Sequence, residues 1–168
     1  MIQTTIADYV TSLLEFDESK VLIGRSNISQ EIFSNNYIVI DKLAPSQNIA
    51  NGYEFEGTNE SMKYNAVMSG TFTLEFYGDN GYENVYKFIN LHRSQLSKDL
   101  QKQYGMTIFN PTGLNDLKQV VGNKYYDRYE VEIVVQFNES LTIGVLKIDK
   151  IPVSQTDDLG NTNNYLVE

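Results

Sequence analysis

Apolar and polar residues alternate most clearly in residues 61–77, which read SMKYNAVMSGTFTLEFY. The even positions are mostly apolar or aromatic, whereas the odd positions are mostly polar. A period of two over this length predicts one long strand with a core face and a solvent face. Gly70 lies near the middle of the segment and predicts a bulge or bend there.

A second long strand is predicted in residues 124–140, KYYDRYEVEIVVQFNES. Here the odd positions form an apolar face and the even positions form a polar face. The predicted core residues are Tyr125, Tyr129, Val131, Ile133, Val135 and Phe137. Arg128, Glu130 and Glu132 are predicted to lie on the polar face.

Two segments have the spacing of amphipathic helices. The first has Ile2, Ile6, Tyr9, Val10 and Leu13 on one face, with Thr4 or Thr5 as its N-cap. The second is predicted as one longer helix from Asp79 or Asn80 to Gly105. Its predicted apolar stripe contains Tyr82, Val85, Tyr86, Ile89, Leu96 and Leu100. Phe88 and Leu91 lie off that stripe, so we expect both to be exposed.

Shorter segments complete the predicted fold. YIVIDKL (37–43), MTIF (106–109) and LTIGVLKIDKIPV (141–153) are predicted strands, NPTGLND (110–116) is a predicted turn, and residues 44–60 are a predicted long loop. The fold class is α+β: a single, mostly antiparallel β-sheet with two long strands, packed against two helices. We expect one domain over residues 1–153 and a polar, acidic C-terminal tail over residues 154–168.

Composition narrows the classes of function. The chain has 168 residues, of which 41% are hydrophobic, so it can bury a hydrophobic core without disulfides or a structural metal. It has no cysteine, which excludes disulfides and thiolate chemistry. No apolar run approaches the roughly 20 residues that span a bilayer, and the N-terminus lacks a basic region. We therefore expect a soluble, unsecreted protein with no membrane contact. The net charge of -9 and the scattered basic residues argue against direct binding of nucleic acid.

Candidate catalytic chemistry is sparse. His92 is the single histidine, and Glu130 and Glu132 share one strand face. One interpretation makes these three residues an acid/base or small-ligand site. The other makes the glutamates polar surface residues paired with Lys63 or Arg128, and His92 a packing residue. The DNG at 79–81 lacks the other ligands of a calcium loop. The second interpretation is favoured, so we predict no catalytic residue, no cofactor and no metal.

The order of motifs from Tyr64 to Phe137 resembles the tailed-phage neck or tail terminator family. A long strand ending in FTLEFYG is followed by a helix with ENVYKFINLHRSQL, the short strand GMTIF, and the segment NPTGLNDLKQVVGNKYYDR before the strand RYEVEIVVQF. The aromatic-glycine pair before the helix matches the family pattern, as does Arg128 followed by Tyr129 and Glu130. The N-terminal helix and NNYIVIDKL match more loosely.

The resemblance implies a virion structural protein and not an enzyme. It implies a homo-oligomer, a ring of six copies in the neck, which caps the tail tube, stops its polymerisation and joins it to the head-completion or connector proteins. Genome DNA would pass through the lumen without specific binding, and assembly would take place in the host cytoplasm. The alternative is another head–tail joining or tail completion protein. The predicted interface residues are Tyr53, Phe55, Phe88, Leu91, Arg128, Glu130 and Glu132.

Overall fold

The computed structural model describes residues 2–24, 36–121, 123–145, 151–156 and 162–167. Its helices are α1 (Ile2–Leu14), α2 (Gly81–Leu91) and α3 (Gln95–Gln103), with a 3-10 helix over Glu18–Lys20. Its strands are β1 (Val21–Ile23), β2 (Tyr37–Lys42), β3 (Gln47–Glu56), β4 (Ser61–Tyr77), β5 (Met106–Ile108), β6 (Thr112–Val121), β7 (Lys124–Gly144), β8 (Ile151–Thr156) and β9 (Thr162–Val167).

One sheet organises the fold. Its strands follow the order β1-β2-β4-β7-β5, with β3 also paired to β4 and β6 also paired to β7. Strand β1 runs parallel to β2, whereas β2 with β4, β5 with β7 and β6 with β7 are antiparallel. The two predicted long strands are β4 and β7. The predicted α+β class and mostly antiparallel sheet are confirmed.

The core lies between one face of the sheet and the helices. The even positions Phe72, Leu74 and Phe76 of β4 are fully buried, as the alternation predicted. Helices α1 and α2 and strands β2, β5 and β7 contribute the rest of this cluster, including Ile6, Tyr9, Val10, Leu13, Ile38, Ile40, Val85, Phe88, Val131, Ile133, Val135 and Phe137. Each such side chain stabilises the fold by about 1.5–3 kcal/mol through burial.

Helix α1 starts earlier than its predicted caps. It begins at Ile2, so Thr4 and Thr5 lie inside the helix and neither is the N-cap. At its end Glu15 adopts a left-handed φ of 54°, and the Phe16 N–H donates to the Thr11 carbonyl at 3.0 Å. This hydrogen bond from the second residue past the helix end closes α1 in the Schellman arrangement.

The predicted second helix is divided into α2 and α3. Ser94 caps α3, because its Oγ accepts a hydrogen bond from the Ser97 N–H at 3.2 Å and its backbone is extended. The Ser94 N–H in turn donates to the Leu91 carbonyl at 2.9 Å, which closes the end of α2. A cap residue inside the segment therefore ended one helix and started the next.

This division changes which helical residues are buried. In α2 the buried positions are Gly81, Val85 and Phe88, whereas Tyr82, Tyr86 and Leu96 of the predicted stripe are exposed. The expectation that Phe88 is exposed is wrong, because its ring is 0% exposed and lies 6.1 Å from that of Phe76. Leu91 is also not exposed: it is half-buried and packs against the core. The apolar stripe was predicted for one continuous helix, so it assigned the wrong residues to the buried face of α2.

Two segments without a clear period form strands. The predicted loop over 44–60 contains β3, which pairs with β4, and the predicted turn over 110–116 contains the start of β6, which pairs with β7. All residues of β3 and all described side chains of β6 are exposed. Alternation in β3 is limited to residues 53–56 and β6 shows none, so pairing with a long neighbour decided their structure.

Tyr125 differs from the rest of the predicted core face of β7. It is 75% exposed and lies opposite Val120 of the exposed strand β6. Tyr129 is half-buried against the core, and the buried part of this face runs only from Val131 to Phe137. Alternation assigns Tyr125 to a face of the strand, but it does not determine how far along β7 that face is covered.

The chain forms two compact units, one of residues 1–51 and 66–139, and one of residues 52–65 and 140–168. The first holds the helices and the core described above. In the second, strands β8 and β9 pair antiparallel, and the Val145 N–H donates to the Glu60 carbonyl at 2.7 Å. The boundary predicted between residues 153 and 154 stays a prediction.

Candidate assembly surfaces

An ion-pair network lies on the sheet face opposite the helices. Glu75 of β4 is fully buried there, and its carboxylate accepts hydrogen bonds from Arg128 Nη2 at 2.9 Å and from the Tyr77 hydroxyl at 2.6 Å. Arg128 also contacts Glu130 at 3.0 Å, and its guanidinium lies 5.9 Å from the centre of the Tyr77 ring. The predicted pairing of Glu130 with Arg128 is confirmed.

This face is more buried than its polar sequence predicts. Glu75 was expected to face solvent, but Val39 and Tyr77 are buried beside it, with Tyr37 and Tyr126 packed against them. Arg128, Glu130 and Glu132 are half-buried. A buried carboxylate needs a cation and hydrogen-bond donors, which Arg128 and Tyr77 supply. These contacts offset the cost of burying the Glu75 carboxylate, and they hold the Arg128 guanidinium against its own chain.

A chain of buried hydrogen bonds links α1, the turn after α2, α3 and β5. The Tyr9 hydroxyl contacts His92 Nδ1 at 3.2 Å and Ser97 Oγ at 2.8 Å. Gln101 donates through Nε2 to Ser97 Oγ at 3.0 Å and accepts through Oε1 from the Ile108 N–H at 2.8 Å. The sequence pattern did not indicate this network, because its polar side chains are scattered over α1, the turn after α2 and α3, and it ends on the backbone of Ile108.

The protonation of His92 follows from its surroundings. Burial lowers the pKa of His92, the neighbouring Arg93 charge lowers it further, and a hydrogen bond to the Ile108 backbone opposes this. His92 is therefore neutral in the fold, and its Nδ1 accepts from the Tyr9 hydroxyl. Burial likewise raises the pKa of Tyr9, against the hydrogen bonds from Ser97 and Gln101. Both groups act as neutral hydrogen-bonding partners in the interior.

The proposed acid/base grouping of His92 with two glutamates is not assembled. His92 contacts Tyr9 of α1, while Glu130 and Glu132 lie on the face of β7 opposite Val131, which packs in the core. The sheet therefore separates the imidazole from both carboxylates. Within the described part of the chain, no group of three or more histidine, aspartate or glutamate side chains could hold a metal ion.

Strand β6 and the first half of β7 form a paired ribbon that carries exposed apolar side chains, here called the β6 ribbon. These are Leu114, Leu117, Val120 and Tyr125. Val120 and Tyr125 lie opposite each other in the register, so their side chains form one apolar pair. Lys118 and Asp127 are likewise opposite each other and provide a charged pair beside it. Exposed apolar clusters bordered by charges are typical of protein contact surfaces.

A second set of exposed apolar residues belongs to the other compact unit and is here called the hairpin patch. It consists of Tyr53 and Phe55 on β3, Tyr64 on β4, and Leu141 and Ile143 on β7. Tyr53 is 77% exposed and Phe55 is 45% exposed, while their assignment to a subunit interface stays a prediction. Leu141 and Ile143 were not predicted as interface residues; their segment was predicted only as a short strand.

No helix in the described ranges is both long and apolar enough to cross a membrane.

Comparison with known proteins identifies the family of the chain. The sequence profile of one protein family, described as the phage neck terminator protein, matches residues 2–160. No curated protein sequence matches the chain. The profile covers nearly the whole chain, including α1 and the segments that carried the resemblance noted in the sequence. The chain therefore belongs to the phage neck terminator protein family, whose members are structural proteins of the virion neck.

Proposed function

We propose that this neck protein forms a ring of six copies that caps the tail tube, stops tube polymerisation and joins the tube to the head-connector proteins. The observation that supports this most directly is the exposure of large apolar side chains in each compact unit, on the β6 ribbon in one and on the hairpin patch in the other. Leaving this much apolar area in water is unfavourable unless partners cover it.

Two surfaces suit a ring better than a two-fold dimer. A head-to-tail interface uses one surface of a subunit against a different surface of the next, and it closes into a ring when the rotation permits. The β6 ribbon and the hairpin patch differ in residues and belong to different compact units. Each subunit of a ring would use both surfaces, and the remaining exposed area would be available to the tube and connector proteins.

The interface residues predicted from the sequence enter this proposal unequally. Tyr53 and Phe55 are exposed and are retained as contacts. Arg128, Glu130 and Glu132 are half-buried on the strand that supports the β6 ribbon, and we retain them as supporting residues. Leu91 packs against the core and Phe88 is fully buried, so both would act by stabilising α2.

The charge of the chain is compatible with a channel for DNA. A net charge of -9 gives a surface that repels phosphates, so a duplex can pass without adhering. We propose that acidic side chains line the lumen and that the ring assembles in the host cytoplasm before the head joins the tail.

Two experiments on the purified full chain test the proposal. Negative-stain imaging with mass measurement is expected to show rings with a central hole, alone or at the ends of tail tubes. Added to polymerising tail tube protein, the chain is expected to shorten the tubes in proportion to its concentration. A chain that stays monomeric with tubes present and leaves their length unchanged would contradict the proposal. Binding to connector proteins without any effect on tubes would favour the alternative head–tail joining role.

A further inference from the structure

A cavity of about 530 Å³ opens in the first compact unit between α3, β5 and β7. Met106 and Phe137 line it and are almost fully buried, so part of its wall is apolar. Lys98 and Lys102 of α3 line it as well and are exposed. Its volume lies in the range of pockets that enclose a small ligand or a few side chains.

The two lysines are the distinctive feature of this cavity. They are four residues apart on α3, so their ammonium groups lie on the same side of the helix. Among the residues that the structure describes, neither lysine forms an ion pair. In a chain with a net charge of -9, two neighbouring cations beside an apolar wall favour a ligand that is both acidic and aromatic.

The chain itself contains a segment of that chemistry. Residues 53–56 at the end of β3 read Tyr-Glu-Phe-Glu. Both aromatic side chains are exposed, and so are Glu54 and Glu56. Because side chains alternate along a strand, the aromatic pair and the acidic pair point to opposite sides. Such a strand can present its rings to an apolar wall and its carboxylates to cations facing that wall.

We infer that the cavity beside Lys98 and Lys102 binds the segment Tyr53–Glu56 of a neighbouring copy of this chain. Phe55 packs against Met106 and Phe137, and the carboxylates of Glu54 and Glu56 pair with the two ammonium groups. The inference rests on the proposed ring, and it assigns one of the contacts between its subunits. The segment is exposed in its own chain, so it is available to the next one.

Charge reversal on each side tests this contact. Lys98→Glu/Lys102→Glu makes the cavity acidic, and Glu54→Lys/Glu56→Lys makes the segment basic. In each variant alone, like charges face each other at every subunit contact and repel. The ring peak in size-exclusion chromatography is therefore expected to be lost. In an equimolar mixture each segment meets a cavity of opposite charge, and rings are expected to return with the two variants alternating.

The outcomes separate this inference from the proposed function. If the unmodified chain forms no rings, the proposed function fails first. If it forms rings and Lys98→Glu/Lys102→Glu forms them equally well, the inference is overturned while the ring stands, and the cavity would serve a different acidic partner. Loss in both variants without return in the mixture also overturns it. The matched control Lys20→Glu/Lys42→Glu changes the net charge equally, away from the cavity, and is expected to keep rings.

Discussion

His92 shows how a residue with catalytic potential becomes structural. Its imidazole is buried beside Tyr9, and the chain of hydrogen bonds from Gln101 through Ser97 and Tyr9 ends on it. Because burial lowers the pKa of His92, protonation costs more in the folded than in the unfolded chain. Glu75 is also fully buried, but its partners include a charged group: its carboxylate accepts hydrogen bonds from the Arg128 guanidinium and the Tyr77 hydroxyl.

The His92 environment predicts a dependence of stability on pH. Unfolded histidine has a pKa of about 6.5, and the folded value is lower. Between these two values the unfolded chain binds more protons, so the free energy of unfolding falls as the pH falls below about 6.5. His92→Gln removes this contribution, so we expect a flatter curve, by at most about 1.4 kcal/mol per pH unit. Urea unfolding of both proteins from neutral to mildly acid pH measures it, and parallel curves would contradict it.

The Glu75–Arg128 pair predicts a large loss of stability when one partner is removed. Arg128→Met takes the guanidinium from a buried carboxylate and is expected to cost about 3 kcal/mol in the free energy of unfolding. Glu75→Gln/Arg128→Met also removes the buried negative charge and should recover much of that loss. Equilibrium denaturation of the single and double variants checks this. A double variant less stable than Arg128→Met would show that the ion pair is not the cause.

At the scale of elements, neighbours decide several outcomes that local pattern leaves open. Strands β3 and β6 form by pairing with β4 and β7, and Ser94 divides one helical segment into two. The glycine at position 70 is also explained by its neighbours and not by the alternation of the strand. A Cβ there would lie 2.9 Å from both the Phe72 ring and Ser46 Oγ. Close approach of these groups therefore requires glycine, while the predicted bulge at Gly70 stays a prediction.

Crowding at Gly70 predicts a specific substitution effect. Gly70→Ala should destabilise the protein by about 1–3 kcal/mol, because the added methyl group must displace a buried aromatic ring or the Ser46 hydroxyl. Gly52→Ala is the matched control, since a Cβ there meets nothing within 4 Å, and it should change stability by less than about 0.5 kcal/mol. Thermal and urea unfolding compare the two. Equal effects at both positions would rule out crowding as the cause.

At the scale of the whole molecule, the distinction between buried and exposed apolar residues separates folding from assembly. Phe88 is buried in the core, whereas Val120 and Tyr125 form an exposed pair on the β6 ribbon. Removing the first kind of residue creates a cavity inside the subunit. Removing the second kind changes mainly the surface that the proposed ring would cover.

This distinction predicts opposite phenotypes for two variants. Val120→Ser/Tyr125→Ser should lower the stability of the isolated chain by less than about 1 kcal/mol, the value of a cross-strand pair, and should abolish or weaken rings. Phe88→Ala should instead cost about 3–5 kcal/mol through a core cavity. Unfolding curves and size-exclusion chromatography on the same samples distinguish these effects. Unchanged rings in Val120→Ser/Tyr125→Ser would remove the β6 ribbon from the proposed interface.

Sequence alone determined the α+β class, the two long strands, helix α1 and most of the core. These features follow from a period of two or 3.6 sustained over many residues, which buries one face whatever the neighbours are. The order of motifs also identified the family. The alternation in 61–77 and 124–140 was sufficient to assign Phe72, Leu74, Phe76, Val131, Ile133 and Val135 to the core.

Only the tertiary structure decided how far each face is covered and which single polar residues meet. Tyr125 and Val131 have the same parity on β7, yet one is exposed and the other buried, because coverage depends on elements distant in sequence. Phe88 is buried because its face of α2 packs on the sheet beside Phe76, a contact that no helical period shows. Glu75 with Arg128 and Tyr9 with His92 are 53 and 83 residues apart, and no local period connects such pairs. Folding places them in contact, since buried polar groups must find partners there.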